Sequence, residues 1–367
     1  MAVRRSLGIF LAIVASYFGM STQQIIIFGL LLLIILFIII PVIYHNSATI
    51  QRHLVFLPWD LPEFAVKWPK NVDFDLPEKE GLRGTRNFYL ETDLGVQVGV
   101  WHILPKSVID SSPNETISEK SFETHFQSGK PIFIYLHGNT GSRGRDHRIE
   151  IYKILSNLDY HVIAFDYRGY ADSSPAVPTK TGVVQDAISV YKYVQSKCAS
   201  SPIFIWGHSL GTAVSTQFVN DMSLTNNPPE GLILESPFNN IYDEIKLHPM
   251  SFLWRKMPLF DWLFTGNLDK NDVGFASDRL ISNIEIPIII LHAEDDLVVP
   301  FQLGQKLFKT ALKHRSSKAK PIQFIPFSSV HGYGHIYIYA APELPEIVGK
   351  FVTNCLSDTW NDTRSMH

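Results

Sequence analysis

Apolar positions in this chain fall into two regimes. From Ile25 to Tyr44 they are continuous: IIIFGLLLLIILFIIIPVIY, twenty residues without a charge. At about 1.5 Å rise per residue that run is roughly 30 Å long as a helix, the hydrocarbon thickness of a bilayer. The length predicts a transmembrane helix over residues 25–44 rather than a buried core helix. A second apolar run, Leu7–Met20, lies in the N-terminal segment 1–24. It reaches only about 21 Å if helical, short of a comfortable span. It reads as a signal-peptide core, a dipping segment or part of one tilted element.

Past residue 50 the pattern changes. A stretch rich in Pro and Trp, Leu57–Pro77, leads into short apolar, β-branched runs: 97–104, 131–136, 161–165, 202–206, 231–234, 287–291 and 321–326. Segments of helical periodicity separate most of them, at 183–197, 212–222, 301–314 and 344–356. Continuous apolar strands alternating with helices predict an α/β domain over 45–367, with a mostly parallel sheet covered on both faces. About fifty residues separate the runs ending at Leu234 and starting at Pro287, more than a simple crossover needs. That excess predicts a helical cap insertion over about 239–283. Within it Phe252, Leu253, Trp254, Met257, Leu259, Phe260, Trp262, Leu263 and Phe264 crowd thirteen positions. They serve either as the insertion's own core or as an apolar cap with a face toward lipid or an acyl chain.

Composition narrows the function. Charged residues make up 18% of the chain, against roughly 25% in an ordinary soluble protein. The deficit sits at one end, since residues 1–44 carry only Arg4 and Arg5. A net charge of −3 argues against a basic nucleic-acid-binding surface. Two cysteines, Cys198 and Cys355, exclude a disulfide-stapled scaffold or a Cys-rich zinc module, and their pairing stays open. If only 25–44 crosses the membrane, Arg4 and Arg5 stay cytosolic and the large domain lies in the lumen or outside. If both apolar runs cross, that domain is cytosolic. Two glycosylation sequons, at Asn114 and Asn361, tilt the choice toward the lumen. Asn114 falls in a polar stretch, Lys106–Lys130, that reads as an exposed loop.

Gly207-His208-Ser209-Leu210-Gly211 follows the apolar strand IFIW and opens a helix. A G-x-S-x-G sequence at a strand–turn–helix junction exposes the serine hydroxyl at a sharp, strained turn. The first amides of the following helix, including that of Leu210, point toward the same spot. A serine hydroxyl is a weak nucleophile until a base takes its proton, so a histidine and an orienting carboxylate should follow. His292-Ala293-Glu294-Asp295-Asp296 leaves the carboxyl end of the 287–291 strand, where sites in open parallel sheets gather. Asp296 is the preferred carboxylate, with Asp295 as a turn or surface residue. His331 and His335 both follow the next strand, and position alone does not separate them. After the strand PIFIY, His137-Gly138-Asn139 forms a glycine-flanked turn able to aim the Asn139 amide at a developing oxyanion. No nucleotide-binding glycine motif occurs, and no carboxylate cluster or H-E-x-x-H accompanies the histidines, so neither a cofactor nor a metal is expected.

Residues from about 54 to 351 resemble the membrane-anchored α/β-hydrolase-domain lipases that act on monoacylglycerols and lysophosphatidylserine. The matching stretches are YLHGNTGSR, VIAFDYRGYADS, GHSLGTAV, LHAEDDLVVPFQLGQKL and GYGHIYIYAAPELP, and the last two are the most diagnostic. The resemblance implies an α/β-hydrolase fold with Ser209 as nucleophile, Asp296 as carboxylate and His335 as base, and Asn139 and Leu210 as oxyanion donors. It also implies one N-terminal anchor helix, a catalytic domain in the lumen of the endoplasmic reticulum, and a lipid substrate. The additional apolar run before the main span departs from that family's pattern. Arg143, Arg145 and Arg148 follow the oxyanion loop, as surface charges or as contacts to an anionic head group. The rival readings are a protein depalmitoylase or other acyl thioesterase, which would need a cytosolic site, and a non-catalytic hydrolase-fold binding protein. Oligomeric state is not legible in the sequence.

Overall fold

A computed structural model of the chain describes residues 19–58, 72–93, 95–111, 118–198, 200–357 and 359–360. Asn114, Asn361, most of the Leu7–Met20 run and most of the Pro- and Trp-rich stretch lie outside them. The long apolar run forms helix α1, composed of Thr22–Ile34, a π-helical turn Ile35–Ile39 and Ile40–Asn46. Ser21 and Gln24 cap its start reciprocally, each side chain accepting the other's backbone amide. Its Ile, Leu and Phe side chains are mostly exposed, as suits a helix whose surroundings are lipid. Helix α2, Ala48–Phe56, follows after a break at Ser47.

Eight strands then form one sheet. In chain order, the elements are β1 (Thr85–Asp93), β2 (Val96–Ile103), α3 (Lys106–Ser111), α4 (Glu119–His125), β3 (Ile132–Leu136) and α5 (Asp146–Asn157). There follow β4 (His161–Phe165), α6 (Lys180–Lys197), β5 (Ile203–His208), α7 (Leu210–Leu224) and β6 (Gly231–Glu235). After an insertion come β7 (Ile288–Ala293), a helix at Phe301–His314, β8 (Ile322–Phe327) and a last helix at Leu344–Ser357. Strand order is β1-β2-β4-β3-β5-β6-β7-β8. The β1–β2 and β2–β4 pairs are antiparallel and every other pair is parallel. This is the α/β-hydrolase fold expected from the sequence.

Alternation along each central strand builds a core on both faces. In β5, Ile203 and Ile205 join one cluster with Val183, Val190 and Val194 of α6, while Phe204 and Trp206 join the other with Tyr152 of α5 and Phe351. Burial on both faces explains why these strands read as uninterrupted apolar runs. Two departures from the sequence reading follow from position in the sheet. Strand β1 was not anticipated, because an edge strand with polar Thr85, Arg86, Asn87 and Glu91 lacks the apolar run of a central one. The stretch 106–130, expected as a loop, holds α3 and α4, and Phe122 of α4 is buried beside Arg86. Between β6 and β7 the chain forms α8 (Ile241–Leu247), a tight turn Pro249–Ser251, a π-helical turn Asp261–Thr265 and α9 (Ser277–Leu280), a helical insertion as expected.

Candidate active site

The turn between β5 and α7 is enforced by its glycines. A Cβ on Gly207 would lie 2.5 Å from the Gly211 carbonyl, and one on Gly211 would lie 2.0 Å from the Leu136 carbonyl. Ser209 between them takes φ 54°, ψ −120°, a conformation that L-residues rarely adopt and that presents its side chain at the turn's apex. Its amide donates to the Glu235 carbonyl (3.0 Å), tying the end of β5 to the end of β6.

His335 Nε2 lies 2.9 Å from Ser209 Oγ, and His335 Nδ1 lies 2.7 Å from Asp296 Oδ2. A carboxylate only accepts, so Nδ1 carries the hydrogen and Nε2 is left to accept from the serine hydroxyl. Asp296 is fixed in turn: its Oδ1 accepts the amides of Val298 and Val299, both at 2.9 Å. Burial alone would raise the Asp296 pKa, but hydrogen bonds from His292 and His335 hold it well below the usual carboxylate range. Asp295 instead accepts the Gly334 amide at 3.1 Å, so it serves the turn that delivers His335. His331 is exposed, with its ring stacked on Tyr333, and takes no part. The arrangement is enclosed: Ser209 is 8% exposed and the His335 side chain 13%.

The loop 137–143 carries Asn139 and is held from behind. Tyr167 OH donates to the His137 carbonyl (3.2 Å), and Tyr170 OH, which also meets the Phe56 carbonyl, lies 3.1 Å from the Asn139 carbonyl. Arg148 donates to the carbonyls of Thr140 (2.6 Å) and Ser142 (2.5 Å). Arg143 is fully buried, bonded through its guanidinium to Asp166 (2.6 Å) and Asp172 (2.6 Å). Against the expectation from the sequence, Arg143 and Arg148 are neither surface charges nor head-group contacts: both are buried and brace this loop from inside. The loop runs beside the serine: a Cβ on Gly138 would lie 3.3 Å from Ser209 Cβ. Leu210 is the first residue of α7, where helix amides have no partner within the helix.

Several nearby groups were not singled out in the sequence. His208, directly before Ser209, donates from Nε2 to the His335 carbonyl (2.9 Å). Burial, reinforced by His335 alongside, pushes its pKa down to about 3, so it stays neutral. Glu235 ends β6 with Oε2 accepting Trp206 Nε1 (2.8 Å), and burial pushes its pKa up to about 7. Glu244 of α8 is also buried and is raised to about 8 by burial and by Asp296. The available signal for Glu235 was a lone acid closing the apolar strand GLILE. Cys198 and Cys355 are both free thiols.

Comparison with known proteins fits this geometry. A family model described as "Serine aminopeptidase, S33" matches residues 127–273, a stretch that includes Asn139, Ser209 and Leu210 and ends before Asp296 and His335. Lysophosphatidylserine lipase ABHD12 of Danio rerio is 44% identical over 313 residues, covering 85% of this chain and 80% of its own. Its Rattus norvegicus counterpart is 43% identical over 85% of this chain and 76% of its own. Protein ABHD12B of Homo sapiens is 33% identical over 86% of this chain and 85% of its own. Among solved structures, Pyrococcus furiosus esterase Pf2001 superposes with a TM-score of 0.57 at 17% identity, covering 78% of this chain and 96% of that one. An α/β hydrolase from Vibrio vulnificus gives 0.55 at 15% identity over 87% and 94%. At such identities the structures share the fold; the family follows from the sequence relatives. The chain belongs to the ABHD12 family of membrane-anchored α/β-hydrolases, serine hydrolases that cleave acyl esters.

Proposed function

We propose that this protein is a membrane-tethered lipase that releases the fatty acid from lysophosphatidylserine and from monoacylglycerols. The observation that carries this reading is the hydrogen-bonded series Ser209–His335–Asp296, at 2.9 and 2.7 Å, in a chain attached to an apolar helix. Ser209 Oγ attacks the ester carbonyl as His335 Nε2 takes its proton, forming a tetrahedral oxyanion held by the Asn139 and Leu210 amides. His335 returns that proton to the departing alcohol oxygen, leaving an acyl group on Ser209. Water, deprotonated by His335, then attacks the acyl-enzyme, and collapse frees the fatty acid and restores Ser209. Asp296 holds the imidazole tautomer and stabilises its cationic form. Water is the only co-substrate.

The named substrates rest on the ABHD12 relatives and on the shared stretches around Ser209, Asp296 and His335. We infer that α1 is a single-pass anchor and that the domain lies in the lumen of the endoplasmic reticulum. Arg4 and Arg5, which precede the apolar span in the sequence, and the sequons at Asn114 and Asn361 support that orientation. A mobility shift on deglycosylation is expected; no shift would point to a cytosolic domain. The substrate test is lipid profiling of membranes from cells carrying the wild-type protein or Ser209→Ala. Accumulation of lysophosphatidylserine or monoacylglycerol in the variant is expected, and unchanged levels of both reject the lipase reading.

A further inference from the structure

Helix α1 and the insertion between β6 and β7 grip each other far along the apolar span. Trp254 Nε1 donates to the Leu36 carbonyl at 2.8 Å. Leu36 stands ten residues before Asn46, the polar end of the helix, so the contact lies about 15 Å down the helix axis from that end. Further contacts follow at the end itself. The His45 and Trp262 rings lie 4.2 Å apart, the Tyr44 and Phe264 rings 5.3 Å, and Asn267 donates to the His45 carbonyl at 2.9 Å.

The helix has a defect at the depth of Trp254. The Ile40 amide bonds the Ile35 carbonyl, a π-type step, and the next residue, Pro41, has no amide hydrogen. The Leu36 carbonyl is thereby left without a donor from its own helix, and Trp254 supplies one. In hydrocarbon an unsatisfied carbonyl is costly, whereas at a watery surface solvent would serve it. A hydrogen bond at this depth also carries its neighbours into the bilayer. Met250, Phe252, Leu253, Leu259 and Trp262 are all exposed on the insertion. Between 249 and 264 the one acid, Asp261, is paired with Lys246 (3.1 Å). Of the two cations, Arg255 lays its guanidinium over the exposed Phe252 ring at 5.1 Å, and the other is Lys256.

We propose that residues 249–264 form a second membrane-embedded element, docked on α1 through Trp254, with its exposed apolar side chains in contact with acyl chains of the same leaflet. This fixes the catalytic domain at one height and orientation over the bilayer, so that an acyl chain passes from the membrane toward Ser209 without crossing water. The inference deepens the lipase reading, and its membrane contact is measured without reference to activity.

The full-length protein is reconstituted in phosphatidylcholine vesicles whose acyl chains carry a diazirine, irradiated, and its labelled peptides mapped. Label is expected on 249–264 as well as on 23–46, and not around Leu224, Leu312 or Val330, exposed apolar residues elsewhere. Label confined to 23–46, or a patch covered instead by a second copy in cross-linked dimers, overturns the proposal. Trp254→Phe keeps the ring and removes the donor. Its hydrolysis of vesicle-borne long-chain lysolipid is expected to fall at least fivefold more than that of a water-soluble butyrate ester, and an equal fall on both overturns the docking role. A labelled patch in a protein that cleaves neither lipid would reject the substrate assignment and keep the membrane contact.

Discussion

His208 Nε2 donates to the backbone carbonyl of His335 across 2.9 Å, so the residue preceding the serine holds the chain that carries its partner histidine. The His335 ring is thereby fixed from both sides, by Asp296 on the side chain and by His208 on the backbone. His208 reaches this carbonyl as a neutral donor because burial suppresses its protonation.

Replacing His208 with Phe keeps most of the volume and removes that donor. Misplacement of a base by about 1 Å can cost on the order of a hundredfold in rate. His208→Phe is therefore expected to lower kcat on a soluble ester by about ten- to a hundredfold with little change in KM. His208→Gln, which can still donate, should recover part of the loss. Steady-state kinetics of the two variants side by side make the check.

Strain at Ser209 predicts an inverse relation between stability and activity. Its φ of 54° suits glycine better than alanine. Both Ser209→Ala and Ser209→Gly should lose fluorophosphonate labelling completely. In detergent micelles the glycine variant should melt higher than the alanine variant, by the equivalent of about 1 kcal/mol. Equal melting temperatures would argue against strain at the turn.

Glu235 makes stability depend on pH with a definite sign. Its carboxyl titrates near 7 in the fold, above the ordinary glutamate value of 4.5, because burial penalises the charged form. From about pH 4.5 to 7 the unfolded chain has lost this proton while the fold retains it, so this group's contribution falls as pH rises and is fully adverse above 7. Glu235→Gln, which can still accept from Trp206, is expected to raise the melting temperature at pH 8 and leave it unchanged near pH 4. A gain of about 2 kcal/mol at pH 8 is the expected scale. Thermal melts across that range provide the measurement.

Arg148 is buried and its guanidinium is engaged by the carbonyls of Thr140 and Ser142 in the Asn139 loop. Arg148→Ala should therefore slow hydrolysis of lysophosphatidylserine and of uncharged monoacylglycerol by the same factor, about tenfold or more through loosened oxyanion donors. A selective loss on the phosphoserine substrate would restore a head-group role.

Much of this was legible before the fold was known, where the signal is local. The bounds of β4 and of the 301–314 helix match the sequence periodicity because burial of both sheet faces and of one helix stripe writes itself into consecutive residues. The elbow around Ser209 is local only in part: a Cβ on Gly207 would meet Gly211 and Ser215, but Gly211 is demanded by the Leu136 carbonyl of β3. Strand β1 escaped because an edge strand shares only one neighbour and keeps polar side chains.

By itself the sequence determined the long apolar helix, the alternating strands and helices and the G-x-S-x-G turn, each written in residues close along the chain. Asp296 is already preferred in the sequence and His335 implied by the family resemblance, but only tertiary structure brought His335 to Ser209 across 126 positions and to Asp296 across 39. It also turned Arg143 and Arg148 inward, toward carboxylates and carbonyls that only folding brings near. It set Trp254 against Leu36, 218 positions away, where a proline had left a carbonyl without a donor. Periodicity records which face of an element is buried, but the choice of partner is a matter of distance in space, and that distance exists only once the chain has folded.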